Sequence, residues 1–232
     1  MPDHAVVIAG GGPTGLMLAG ELALAGVDAL IVERRANQHV DGSRAGGLHA
    51  RTIEVLDQRG IADRFLLRGE AMQVQGFAGI PLDISDFPTR HNYGLALWQS
   101  EFEPILADWV GELGIPIIRE REVVGFVQDD TGVDVELSGD TSVRAQYLVG
   151  CDGGRSVIRK AAGIDFVGSD PSTSWMIAQV EMDEEPEFGF RRDSVGQHAI
   201  GRRKEGQPIG VVLTERQLEH NGNPTINELR EA

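Results

Sequence analysis

The residues best suited to chemistry lie near the start of the chain, in the segment Gly10-Gly-Gly-Pro-Thr-Gly15. The segment follows a continuous apolar run, residues 5–9, and precedes a helical pattern of apolar residues, as in a strand, a tight turn and a helix. Gly10 permits the turn, Gly12 lets a phosphate approach the backbone, and Gly15 lets the helix pack against the strand. The spacing therefore predicts that a pyrophosphate binds the amides at the positive end of the helix dipole, beside Pro13 and Thr14.

A carboxylate at the end of the next apolar run indicates which nucleotide the turn binds. Glu33 ends the run 29–33, 18 residues after Gly15, where an acid can accept hydrogen bonds from both hydroxyls of an adenosine ribose. FAD and NAD both fit this arrangement. Glu33 would repel a 2′-phosphate, which disfavours NADP in this turn, although the adjacent Arg34 leaves NADP open. The alternative interpretation is a glycine turn that only shapes the chain.

The elements that position these residues predict an α/β fold. Residues 5–33 are expected to form a βαβ unit whose helix ends at Gly26. An amphipathic helix is expected over 48–59. Ser100-Glu-Phe-Glu103 has the pattern of a capping box for a helix that runs to Leu113. A hairpin is predicted over 122–137, with its turn at 129–132, followed by a buried strand at 147–150.

Beyond residue 165 apolar and polar residues alternate, which is typical of antiparallel sheet. The sequence thus predicts a Rossmann-type domain with a parallel sheet over 1–165, in which the irregular segment 74–97 does not build the main sheet. Residues 166–232 are expected to be part of an antiparallel-sheet domain, truncated at the capping box Thr225-Ile-Asn-Glu228. We therefore expect the sequence to be the N-terminal part of a longer protein.

The composition disfavours several other classes of protein. The formal charge of −15 would repel nucleic acid and anionic membrane surfaces. The single cysteine, Cys151, excludes an internal disulfide and favours the cytoplasm, and no secretory signal or membrane span is expected. The six histidines lack metal-ligand spacing, so no metal site is predicted.

Three segments together resemble the class A flavin-dependent aromatic monooxygenases, which have the p-hydroxybenzoate hydroxylase fold. They are the glycine turn with Val32-Glu-Arg34, the stretch Ser43–Gly60, and Tyr147–Arg159 with its Asp152-Gly pair. The branch that acts on aromatic polyketides and rifamycin-type antibiotics is the most similar. The resemblance implies that Arg44 approaches the FAD pyrophosphate, that Asp152 lies near the FAD ribose, and that neighbouring arginines serve NADPH. It also implies that Gln99 contacts the flavin and that the backbone of Val124 faces adenine. By the same resemblance, 1–165 is a Rossmann-type FAD-binding domain with 74–97 contributing to the substrate side, and 166–232 is part of an antiparallel-sheet substrate domain.

From the residues alone, the alternative for Arg44 is a surface-loop arginine, for Gln99 a solvent-exposed residue at a helix start, and for Asp152 a residue near a helix N-cap. Cys151 is interpreted as a small residue at a strand end rather than a nucleophile.

The same resemblance implies an enzyme that uses FAD, with NADPH or NADH as co-substrate and O2, to hydroxylate a phenolic or polyketide-like aromatic substrate through a flavin hydroperoxide. No catalytic acid or base is predicted, because the cofactor carries the difficult chemistry. The second flavin motif of the family, similar to Gly-Asp-Ala-Ala-His, is absent from this sequence. Two alternatives therefore stay open: a non-catalytic nucleotide- or partner-binding module, and a flavin enzyme that inactivates a drug or oxidises a ring without hydroxylation.

Overall fold

The computed structural model describes residues 3–40, 45–77, 80–202, 206, 208–215 and 225–231. These residues form two compact units. The first comprises Met1–Gly47, Arg51–Gly69 and Leu97–Val167, and the second comprises Leu48–Ala50, Glu70–Ala96 and Gly168–Ala232.

The first unit contains a six-stranded sheet and its helices. Its strands are β1 (His4–Ala9), β2 (Ala29–Glu33), β8 (Ile117–Arg119), β9 (Val123–Asp129), β10 (Gly132–Leu137) and β11 (Thr141–Gly150). Its helices are α1 (Pro13–Leu24), α2 (Ala50–Gln58), α3 (Ala62–Leu66), α4 (Gln99–Glu112) and α5 (Val157–Ala161).

The sheet has the order β8-β2-β1-β11-β10-β9, in which the first four strands are parallel and the last two antiparallel. The register pairs Ala9 with both Val32 and Gly150, so β1, β2 and β11 end at one edge of the sheet. The connection from β1 leads to β2 on one side of β1, whereas β11 lies on its other side. Open α/β sheets bind ligands in the crevice that such a change of direction leaves at the carboxyl ends of the strands. The predicted α/β fold class is confirmed.

Apolar side chains alternate between the two faces of this sheet. On one face Val7, Leu30 and Val32 join a core with residues of the β9–β10 hairpin, such as Val133 and Val135. Helices α1 and α4 pack against each other, and Gly20 of α1 lies directly against the Trp109 ring of α4. This close packing fixes the position of α1 and therefore of the turn between β1 and α1.

Most predicted elements of this unit are confirmed, with shifted bounds. The hairpin turn lies at 129–132, and Gly26, with φ of 71°, follows the end of α1. The predicted capping box at Ser100–Glu103 is wrong: α4 begins at Gln99 with Trp98 as its N-cap residue, and Glu101 accepts the Trp98 amide at 3.4 Å. Glu103 instead lies inside the helix on its buried face.

The second unit is built from short strands. Strands β12 (Trp175–Val180), β13 (Gly189–Arg192), β14 (Gln197–Gly201) and β15 (Ile209–Thr214) form an antiparallel sheet in the order β12-β15-β14-β13. The remaining strands are β3 (Gly47–Leu48), β4 (Glu70–Met72), β5 (Val74–Phe77), β6 (Ile80–Asp83) and β7 (Gly94–Ala96). The last helix is α6 (Ile226–Glu231), and the predicted capping box at its start is confirmed, since Glu228 accepts the Thr225 amide at 2.6 Å.

Candidate nucleotide-binding site

The glycine turn between β1 and α1 is tightly packed on its inner side. Gly10 has φ of 108°, and a Cβ added there would lie 2.5 Å from the carbonyl oxygen of Cys151. A Cβ added at Gly15 would overlap the carbonyl oxygen of Gly10. These two positions therefore require glycine for reasons of the fold alone.

Gly12 differs from these two glycines because its outer side is open. A Cβ added there would meet nothing within 4 Å, and its φ of −77° is accessible to any residue. Gly12 is the N-cap residue of α1, no side chain caps this helix start, and Pro13 follows at its first position. The first-turn amides of Thr14 and Gly15 have no carbonyl acceptor within the helix, so they are available to an anion.

Glu33 lies directly beside this turn and is bonded to it. The residue is 5% exposed, and its Oε2 accepts the Gly11 amide at 2.6 Å. Its Oε1 accepts from the backbone amide and from Nε of Arg35, at 2.9 and 3.0 Å. Burial by itself raises the pKa of Glu33, but the hydrogen bonds from Arg35 and Gly11 outweigh burial and hold the pKa below its ordinary value. The carboxylate is thus kept ionised at the end of β2, and its Oε2 has one short bond from Gly11 and a long one of 3.5 Å from Nη2 of Arg35.

Three residues that sequence reasoning missed extend this network: Arg35, Gln38 and Glu103. Nη2 of Arg35 donates to Oε1 of Glu103 at 2.5 Å, and Glu103 is fully buried. Gln38 donates from Nε2 to the Gly11 carbonyl at 3.1 Å. One signal was present in the sequence, because a charged Glu103 among the apolar residues Phe102, Ile105 and Leu106 requires a buried partner.

Gln99 is connected to the same network at the start of α4. Its Nε2 donates to Oε2 of Glu103 at 2.9 Å, and its backbone amide donates to the Ala45 carbonyl at 2.9 Å. The structure therefore brings Gln99 and Glu33 together through Glu103 and Arg35.

Two other residues predicted for the site, Arg34 and Val124, are exposed. Arg34 points its side chain to solvent, 75% exposed, with Nη1 4.0 Å from Oε1 of Glu122. The Arg121 amide donates to the Glu33 carbonyl at 3.3 Å, which brings the start of β9 and Val124 to this end of the sheet. Arg44 lies outside the described residues.

Asp152 follows the end of β11, on the other side of the glycine turn. Its Oδ2 accepts the amides of Val157 and Ile158, at 2.6 and 3.2 Å, so it serves the start of α5 although Ser156 is the N-cap residue. Its Oδ1 is buried and has no hydrogen-bond partner among the described residues. Burial raises the pKa of Asp152, but hydrogen bonds from Ser156 and the helix amides hold it below the ordinary value. Burial also raises the pKa of the neighbouring Cys151 thiol, which does not favour a nucleophile.

These observations fit the adenylate part of FAD. The first-turn amides and the open side of Gly12 suit a pyrophosphate, and an ionised Glu33 suits a ribose diol. Asp152 lies beside the same turn, and its buried Oδ1 has no hydrogen-bond partner among the described residues.

A separate groove of about 830 Å³ lies in the first unit between the β9–β10–β11 strands and α5. It includes Arg159 but no residue of the glycine turn. Nη1 of Arg159 donates to the Ile164 carbonyl at 2.8 Å, and its guanidinium lies 5.1 Å from the Phe166 ring centre. Arg159 is therefore engaged within its own segment.

Two absences hold for the parts of the chain that the structure describes. No cluster of three or more His, Cys, Asp or Glu side chains there could hold a metal ion. No helix in those parts is both long and apolar enough to cross a membrane.

Comparison with known proteins places this chain in a family. Residues 3–220 match the family model described as an FAD binding domain. Since the match covers most of the chain, the chain belongs to this FAD-binding family, and its resemblance to the aromatic monooxygenases is confirmed.

The relatives include antibiotic-related monooxygenases. Rifampicin monooxygenase from Streptomyces venezuelae is 46% identical over 179 residues, which are 76% of this chain and 37% of that protein. The 12-dehydrotetracycline 5-monooxygenase/anhydrotetracycline 6-monooxygenase from Streptomyces rimosus is 47% identical over 189 residues, 79% of this chain and 37% of that protein. The chain thus spans little more than a third of the length of these relatives.

Solved structures show the same fold. OxyS anhydrotetracycline hydroxylase from Streptomyces rimosus superposes with a TM-score of 0.83 at 42% identity, covering 90% of this chain and 44% of that chain. CabE, an aromatic hydroxylase from angucycline biosynthesis, superposes with a TM-score of 0.87 at 34% identity, covering 98% and 47%.

Proposed function

We propose that this chain binds the adenylate half of FAD in a monooxygenase that hydroxylates an aromatic substrate with NAD(P)H and O2. The observation that carries the proposal is the open first turn of α1 beside the ionised, buried Glu33. The family match and the named hydroxylases support the same conclusion.

The proposed cofactor-binding set extends from this turn to the neighbouring segments: Gly10, Gly12, Pro13, Thr14, Gly15, Glu33, Arg34, Arg44, Gln99, Val124 and Asp152. The amides of the glycine turn bind the pyrophosphate, and Glu33 accepts hydrogen bonds from the ribose hydroxyls. Bound FAD supplies the redox chemistry, in which electrons come from NAD(P)H and oxygen from O2. The residues of this chain bind and orient the cofactor.

A polycyclic, polyketide-like aromatic is the substrate class we propose. The relatives carry names that refer to rifampicin, tetracycline intermediates and angucycline biosynthesis. Hydroxylation in biosynthesis and inactivation of an antibiotic are both compatible with this class.

Two measurements test the proposal at separate levels. Titration of the chain with FAD and ADP, followed by calorimetry, should show binding of both in a 1:1 ratio. The protein expressed from its complete gene should contain FAD and oxidise NADPH or NADH faster when a polyketide aromatic is added. Nucleotide binding without any such oxidation would favour the non-catalytic binding module, and no binding at all would overturn the proposal.

A further inference from the structure

Two arginines follow Glu33, and only one of them lies against it. Arg35 places Nε 3.0 Å from Oε1 of Glu33, whereas the Arg34 side chain extends to solvent near Glu122. In dinucleotide sites of this type an arginine near the ribose acid is the group that accommodates a 2′-phosphate. Whether the site accepts a 2′-phosphorylated ribose therefore depends on whether Arg35 can contact the phosphate.

The structure shows that Nη2 of Arg35 is already engaged. It donates to Oε1 of Glu103 at 2.5 Å and lies 3.3 Å from Oε1 of Gln38 and 3.4 Å from the Gly11 carbonyl. Glu103 has no exposure to solvent, so water does not compete for this contact. A second carboxylate facing one guanidinium also leaves the cluster of Glu33, Arg35 and Glu103 with an excess of negative charge.

We propose that Glu103 is a specificity-determining residue for the nucleotide: by engaging Arg35 it makes the site select an adenylate with a free ribose diol over one with a 2′-phosphate. Glu103 acts through Arg35 and does not itself touch the ligand. The inference rests on the proposed binding of an adenylate at the glycine turn.

The test is a pair of titrations with ligands that differ only at the 2′ position, ADP-ribose and its 2′-phosphate. The wild-type chain should prefer ADP-ribose. In Glu103→Gln, the charged partner of Nη2 of Arg35 becomes a neutral amide and one negative charge is lost. The affinity ratio should therefore shift towards the 2′-phosphate about tenfold, as expected for the loss of one charge near the ligand. An unchanged ratio in a folded variant would overturn the inference.

Matched variants separate this local effect from a change in total charge. Glu101→Gln removes the same charge two residues away on α4 and should leave the ratio within about twofold of wild type. The double variant Glu103→Gln, Arg35→Gln has the wild-type cluster charge but no guanidinium, and its ratio should return close to wild type. A tenfold shift in either control would show that Glu103 does not act through Arg35.

If Glu103→Gln does not fold, as judged by circular dichroism, Glu103→Asp replaces it. This variant keeps the charge but withdraws the carboxylate from Arg35, so a smaller shift in the same direction is expected, and no shift would overturn the inference. Failure of the proposed function gives a different result, because the wild-type chain would then bind neither ligand. In that outcome the inference fails together with the function on which it rests.

Discussion

Glu33 connects the stability of the fold with nucleotide binding, because the same carboxylate bonds the glycine turn and faces the crevice. Its hydrogen bonds from Gly11 and Arg35 lower its pKa in the folded protein below the ordinary value of 4.5. The ionised form is therefore stabilised by folding. A carboxylate with a depressed pKa stabilises the fold above its unfolded pKa, and this contribution is lost as the pH falls through the folded value.

The first prediction follows from this linkage. Wild type should lose more of its free energy of unfolding than Glu33→Gln when the pH is lowered from 7 to 3, because the variant has no carboxylate to protonate at this position. Urea unfolding at several pH values measures the difference. Parallel pH profiles for the two proteins would show that Glu33 contributes nothing to the acid sensitivity of the fold.

The second prediction concerns Gly12, where the fold tolerates a methyl group and the proposed ligand does not. Gly12→Ala should unfold at the same urea concentration as wild type, because the added Cβ meets nothing within 4 Å. It should nevertheless weaken ADP binding by about tenfold or more, since the backbone there must approach the pyrophosphate. Undiminished ADP binding in calorimetry would contradict the assigned position of the pyrophosphate.

At the scale of elements, the packing of α1 on α4 decides how firmly the turn is supported. Gly20 touches the buried ring of Trp109, while Gly111 lies near the exposed end of α4 with open space around it. Substitution by alanine at Gly20 therefore tests the effect of close packing on stability, whereas the same substitution at Gly111 tests the effect of backbone entropy.

The third prediction uses these two positions as a matched pair. Gly20→Ala should destabilise the chain by about 1–3 kcal/mol, because the added methyl overlaps the indole and forces repacking. Gly111→Ala should stabilise it by about 0.5–1 kcal/mol, because alanine is the better helix former. Denaturant unfolding tests both, and a stabilising Gly20→Ala would show that the two helices do not pack closely there.

The fourth prediction concerns the segment that follows β11. Asp152→Ala should destabilise the chain by about 1 kcal/mol, because the amides of Val157 and Ile158 lose their acceptor. Asp152→Asn retains an acceptor oxygen and should lose less. Equal unfolding midpoints for wild type and Asp152→Ala would contradict the capping role.

At the scale of the whole molecule, the sequence predicted the regular parts of the fold and the glycine turn, because these depend on local patterns. The period of apolar residues predicted β1, α1 and β2. The turn sequence Asp-Asp-Thr-Gly at 129–132 predicted the hairpin. The role of Glu103 could not be predicted in this way. A Ser-x-x-Glu pattern has the local appearance of a capping box, whereas the partner of Glu103, Arg35, lies 68 residues away in sequence and meets it only in the folded chain.

A crystal structure of the chain with bound ADP tests the central claim most directly. The account predicts that the diphosphate contacts the first-turn amides of α1 on the open side of Gly12, with a ribose hydroxyl within hydrogen-bond distance of Glu33. A nucleotide bound elsewhere, or a glycine turn that stays empty at saturating ADP, would contradict it.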